Sequence, residues 1–301
     1  MSFNDDVQLD TSQVEAGGRG FGGGGGMLLG GGLGGGGLLL VVVLSLLGVI
    51  DPSSLLGGGG TGTAPGAGSD PDVTSTCRSG ADANRDVRCR VVGTVNSVQD
   101  FWADELPRHD VRYQAARTVL YSGQTQSACG TASNAVGPFY CPTDTKVYID
   151  ASFFDELTTR FGADDGALAQ EYVVAHEYGH HVQDLLGALG AAQSDREGAT
   201  SGSVRVELQA DCYAGMWAHS AATTQDAQGR TYLKPLTDQD IKSALSAAAA
   251  VGDDRIQSQS SGRVDPESWT HGSSAQRQKW FTVGYRYGDL DRCNTLDASS
   301  L

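Results

Sequence analysis

The sequence predicts an α+β, helix-dominated domain with a small antiparallel sheet, preceded by one N-terminal transmembrane helix. Three observations carry that expectation: an uncharged stretch near the N-terminus, two short alternating apolar runs, and several capped segments with helical periodicity further on. The chain has 301 residues, 36 acidic against 21 basic side chains and a formal charge of −15. A surface of that sign repels a phosphate backbone, which argues against nucleic acid as a partner.

Between Gly20 and Ile50 there is no charged residue, and the stretch closes on Leu38-Leu-Leu-Val-Val-Val-Leu-Ser-Leu-Leu-Gly-Val-Ile50 before Asp51-Pro52. That length suits one bilayer-spanning helix, placed at residues 27–50, with the glycines tolerated because unsatisfied backbone is so costly in lipid. Residues 1–26 read as a glycine-rich tail. Residues 51–76, rich in Gly, Ser, Thr, Pro and Asp, read as a flexible linker. No A-x-A cleavage pattern follows the apolar run closely, so an uncleaved anchor is expected. Arg19 is the only cation before it and Arg78 the next after it, which weights the N-terminus toward the cytoplasm.

All six cysteines lie beyond the apolar stretch, as disulfides in an oxidising space would. Fifteen pairings exist. Cys77 with Cys89 and Cys129 with Cys141 are sequence neighbours of similar separation, which leaves Cys212 with Cys293. No C-x-x-C pair occurs, so a cysteine zinc knuckle is not expected. Residues 77–301 are therefore read as one extracytoplasmic domain.

Arg117 to Tyr121 and Lys146 to Asp150 alternate like strands. Ala167 to Leu189 reads as a helix, with Asp164 or Asp165 as N-cap and Gly187 and Gly190 to stop it. Within it stands His176-Glu177-Tyr178-Gly179-His180-His181. Four residues along a helix is about 40° past a full turn, so His176 and His180 share a face and can bind one zinc ion. Glu177, about 100° further round, is placed to reach a water on the metal, as a general base does. A third protein ligand is needed. In a second helix starting at Ser203, Glu207 and Asp211 are again four apart, so Glu207 can bind the metal while Asp211 accepts the outer N–H of a ligating imidazole. His219 and His271 rank below Glu207 as third ligand. For the oxyanion, His271 in the turn Thr270-His-Gly-Ser is preferred over Tyr178 and Tyr213. His181 faces away from the pair and reads as a supporting or surface residue, and His109 has no role. Thr237 or Asp238 caps 241–251, and Ser273 or Ser274 caps 275–287, where Trp280, Phe281 and Gly284 form a core stripe.

Ala128-Cys-Gly130, Gly137-Pro-Phe-Tyr-Cys-Pro142, His176-Glu-Tyr-Gly-His-His-Val-Gln183, Glu207-Leu-Gln-Ala-Asp-Cys212 and Thr270-His-Gly-Ser-Ser-Ala-Gln-Arg277 together resemble the bacterial putative neutral zinc metallopeptidase family, over about residues 77–295. The resemblance implies a zincin-like fold, Zn2+ as cofactor, His176, His180 and Glu207 as its ligands, and Glu177 as the catalytic carboxylate. The expected function is a membrane-anchored zinc endopeptidase acting on peptides or proteins. The alternative is a non-catalytic envelope protein with a structural zinc that binds peptides or partners. An extended substrate is expected to pair with the edge of the sheet over the metal helix.

Overall fold

The computed structural model describes residues 2–17 and 73–301. The spanning helix expected at 27–50, and all but the end of the linker expected at 51–76, lie outside the described residues. Among the described residues no helix is long and apolar enough to cross a membrane.

Chain order runs β1 (Val14–Gly17), α1 (Val87–Glu105), β2 (Arg117–Tyr121), β3 (Gln124–Ser127), β4 (Gly130–Ser133), β5 (Phe139–Cys141), β6 (Lys146–Asp150), α2 (Phe153–Thr159), α3 (Ala167–Leu185), α4 (Gly202–Ser220), α5 (Asp238–Ala250), α6 (Asp253–Ser261) and α7 (Ser274–Tyr287), with short helical turns between. The helix-dominated α+β expectation holds. The sheet differs from it. Its order is β1-β2-β6-β5; β1, β2 and β6 run parallel, and only β5 is antiparallel to its neighbour. A tight turn through Thr145, at φ 56°, reverses the chain between β5 and β6. The longer path from β2 to β6 leaves room for a crossover, which parallel pairing requires. The antiparallel hairpin β3–β4 stands apart.

The strand alternation is real. Leu120, Val147 and Ile149 face the helical core, while Val119, Tyr121 and Tyr148 pack with Phe139, Ala132 and Val136 in a second cluster on the other face. This is the period-two pattern of a sheet covered on both sides.

The N-terminal tail expected over residues 1–26 does not hold for residues 2–17. Phe3, Val7 and Val14 are buried at 1%, 0% and 5% exposure, and β1 adds a parallel edge strand to β2. The linker expected to run to residue 76 also ends earlier, since Val73 is buried in a helical turn at Val73–Thr76. Asn84 and Asn96 tie the N-terminal segment down: Asn84 accepts from the Phe3 N–H and Asn96 from the Asp10 N–H, each at 2.8 Å.

α3 runs through the middle, packed by α1, α4 and α5, with α7 behind α4. Its N-cap is Gly166 rather than an aspartate. A Cβ at Gly166 would come within 2.4 Å of Ser243 Cβ on α5, so the close helix contact excludes a capping side chain. Gly187, at φ 71°, ends the helix as expected. Thr237 and Ser273 both form capping boxes, with Asp240 and Gln276. α4 and α7 meet backbone to backbone, because Cβ atoms at Gly215 and Gly284 would fall 2.2 Å from Phe281 O and 1.9 Å from Cys212 O. Trp280 and Phe281 are core, as the stripe suggested. The three disulfides are Cys77–Cys89, Cys129–Cys141 and Cys212–Cys293, the pairing favoured by spacing.

Candidate metal centre

α3 and α4 are drawn together where Gly179 meets Ala210; a Cβ there would sit 3.0 Å from Ala210 Cα. The approach brings three donor side chains into one cluster, His176, His180 and Glu207, whose ligand atoms lie within 4.8 Å of one another. Glu207 Oε2 is 3.2 Å from His176 Nε2, and Glu207 Oε1 is 3.5 Å from His180 Nε2. With metal–ligand bonds of about 2.0–2.1 Å, neighbouring corners of a tetrahedral zinc site are about 3.3 Å apart, so these spacings fit the ion.

Each imidazole turns its Nε2 to the cluster because its Nδ1 is already engaged. His176 Nδ1 donates to Asp211 Oδ1 at 2.9 Å. His180 Nδ1 lies 2.8 Å from Gln183 Oε1, and Gln183 Nε2 in turn donates to Val206 O on α4. Asp211 is fully buried. It accepts from Tyr172 and, in a two-pronged contact at 2.9 and 3.0 Å, from Arg277 Nε and Nη2. Four donors on one carboxylate fix the His176 ring and its tautomer. Burial opposes a charged His176, but Asp211 and Glu207 raise it to about 10, so a cation entering here displaces a proton. Burial likewise raises Glu207, yet His180, His271 and His176 hold it well below the usual carboxylate range.

Glu177 is buried beside the cluster. Burial pushes its carboxyl up, while His176 and His180 pull it down; a carboxylate poised upward from its ordinary value suits a proton acceptor working near neutrality. His271 lines the same cleft as Glu177 and Glu207. Asp253 organises its turn, with Oδ2 accepting the N–H groups of Thr270, His271 and Gly272 at 2.8, 2.7 and 3.0 Å and Oδ1 lying 3.4 Å from His271 Nδ1. Burial disfavours the charged ring, but Glu207 and Asp253 raise it above the usual histidine range.

The remaining candidates fall elsewhere. His219 binds Tyr285 O on the surface. Tyr178 turns into the sheet, 3.0 Å from Thr118 Oγ1, and Tyr213 packs on Trp102 in the core. His181 is fully buried, its Nε2 donating to Gln114 O at 2.6 Å, so it anchors α3 to the loop before β2 rather than facing solvent. His109 pairs with Glu105. Sequence reasoning missed Tyr172, Gln183, Asp253 and Arg277. Gln183 and Arg277 stand in the family-like motifs, and their spacing of three from His180 and four from Ser273 is the only local signal.

A helix-borne trio of two imidazoles and a carboxylate, with a second glutamate beside it and a cleft in front, is the donor set of a zinc-binding site. The chain belongs to the family described as Putative neutral zinc metallopeptidase, whose model matches residues 4–296. Among curated proteins, it is 59% identical to Uncharacterized protein Rv2575 of Mycobacterium tuberculosis over 228 residues, 75% of this chain and 76% of the relative. It is 46% identical to Uncharacterized protein YpfJ of Escherichia coli over 208 residues, 67% of this chain and 69% of the relative. No solved structure matches it.

Proposed function

We propose that the chain is a zinc-dependent endopeptidase. The observation that carries this reading is the convergence of His176 Nε2 and His180 Nε2 on the Glu207 carboxylate at 3.2 and 3.5 Å in a cleft wall, with Glu177 beside them. His176, His180 and Glu207 would hold Zn2+, which supplies Lewis acidity toward a peptide carbonyl and acidifies water. Glu177 takes the proton of the attacking water and delivers it to the leaving amine. His271, held by Asp253, donates to the oxyanion that develops on the carbonyl. The loop that leads into the edge strand β5 rims the cleft through residues 134–138, so an extended peptide can lie along that side. A purely structural zinc fits less well, because structural sites close with four protein ligands and this cluster offers three among the described residues.

The three disulfides support an oxidising compartment. Attachment to a membrane through residues 27–50 is part of the reading only with both flanks on one side. β1 and β2 belong to one sheet, so a single crossing, with residues 2–17 and the catalytic domain on opposite faces, would pull that sheet apart.

The test is Glu177→Gln in the purified full chain. It should retain one zinc per chain by elemental analysis and lose about 10²-fold or more of its peptide hydrolysis. Wild-type protein with bound zinc and no activity on a broad peptide library overturns the proposal.

A further inference from the structure

We propose that the cleft beside Glu177 receives a bulky apolar side chain of the substrate, at a residue adjoining the scissile bond. This deepens the peptidase reading and rests on it. Val173 lies three residues before His176 and four before Glu177 on α3, so it stands one helical turn away on the same face. Val173 lines a cleft, partly open to solvent, together with Phe153, Phe161, Val251 and Ile256 from other elements. Apart from Val173, these large apolar side chains are only half-buried: Phe153, Phe161 and Val251 pack against the core on one side and leave the other to the cleft.

The wall is preformed. The Phe153 and Phe161 rings lie 6.4 Å apart. The Arg160 guanidinium sits 5.4 Å from the Phe161 ring centre and is paired with Glu156, which also accepts from Asn134 Nδ2. The two charged groups at this rim are thus turned toward each other. A charged side chain entering among these rings loses more hydration than it regains, whereas an aromatic or branched aliphatic one exchanges water for contact. The pocket is continuous with the metal-binding atoms, which places its occupant next to the bond being cut rather than at a distant docking site.

The experiment digests a randomised peptide library with the zinc-loaded full chain and sequences the products. Phe, Leu, Ile, Met or Tyr should dominate one position flanking the cut. In Phe161→Ala, kcat/KM for a Phe-bearing peptide should fall about tenfold more than for its Ala counterpart. A second readout does not need turnover: zinc-loaded Glu177→Gln should bind the Phe peptide about tenfold or more tightly than a Gly analogue by calorimetry. Cleavage without apolar preference, or equal binding of the two peptides, overturns the subsite. An undigested library overturns the peptidase reading instead, and the calorimetric comparison still decides whether the pocket selects apolar side chains.

Discussion

The junction of α3 with α4 and the seat of the N-terminal segment, which ends in β1, are held by different forces. At the first, the buried groups are polar and charged: His176, Glu207, Asp211, Tyr172 and Arg277 share one hydrogen-bonded network. At the second, Phe3, Val7 and Val14 are buried apolar side chains, backbone pairing joins β1 to β2, and Glu15 pairs with Arg117 and Lys146 near the surface. The N-terminal junction should therefore be indifferent to metal and more sensitive to lost volume than to its partly exposed ion pairs. The metal junction should depend on every partner of each charge, because one unpaired charge in a dry site costs more than a methylene.

Phe3 gives the largest expected effect. Its ring seats on α1, where a Cβ at Gly93 would come within 2.6 Å of it. Phe3→Ala should cost about 3–5 kcal/mol in denaturant unfolding while zinc content per chain stays at the wild-type value. Wild-type stability in this variant would mean that the N-terminal segment is not part of the folded domain, and a single membrane crossing would then no longer conflict with the sheet.

Arg277→Met comes next. It removes the two-pronged partner of a fully buried carboxylate, and about 3 kcal/mol of stability should go with it. The pH dependence separates this from lost packing. Burial raises the Asp211 carboxyl, but Arg277 and His176 together bring it below its ordinary value of 3.8. The stabilisation is therefore present above about pH 4 and lost as pH falls through the depressed folded value. Unfolding curves of variant and wild type should converge in acid; a gap that stays constant with pH would make Arg277 a space-filling residue.

The same contrast explains what could be read in the sequence. His176, Glu177 and His180 were legible because helical geometry and ligand chemistry act within one turn. Glu207 with Asp211 repeated that spacing one helix later. Thr237 and Ser273 were legible as caps for the same local reason, although Gly166 shows a cap overridden by the approach of α5. The parallel register of β2 with β6 was not legible, since alternation reports which face is buried and not which way a partner runs. Nor was β1, whose Val14-Glu-Ala-Gly17 is too short to announce a strand and pairs with a segment about a hundred residues away. Arg277 lies in a helix that reads as amphipathic without it, and only the tertiary arrangement shows its partner on α4.

The smallest expected effect tests how tightly the metal junction is drawn. Gly179 occupies a free position in the H-E-x-x-H motif, yet a Cβ there would lie 3.0–3.2 Å from Ala210 Cα, O and Cβ. These are backbone-borne atoms that yield only if α4 shifts by a few tenths of an ångström. Gly179→Ala should gain helix propensity and lose more to overpacking, for a net cost of about 1 kcal/mol. Because the shift moves Glu207 away from both imidazoles, zinc affinity should weaken by more than the stability change alone implies. Gly190→Ala is the control: nothing lies within 4 Å of its added Cβ, so it should be neutral or stabilising by up to about 1 kcal/mol. Equal zinc affinities in the two variants, measured by chelator competition, would show that the separation of α3 and α4 does not set the geometry of the ligand cluster.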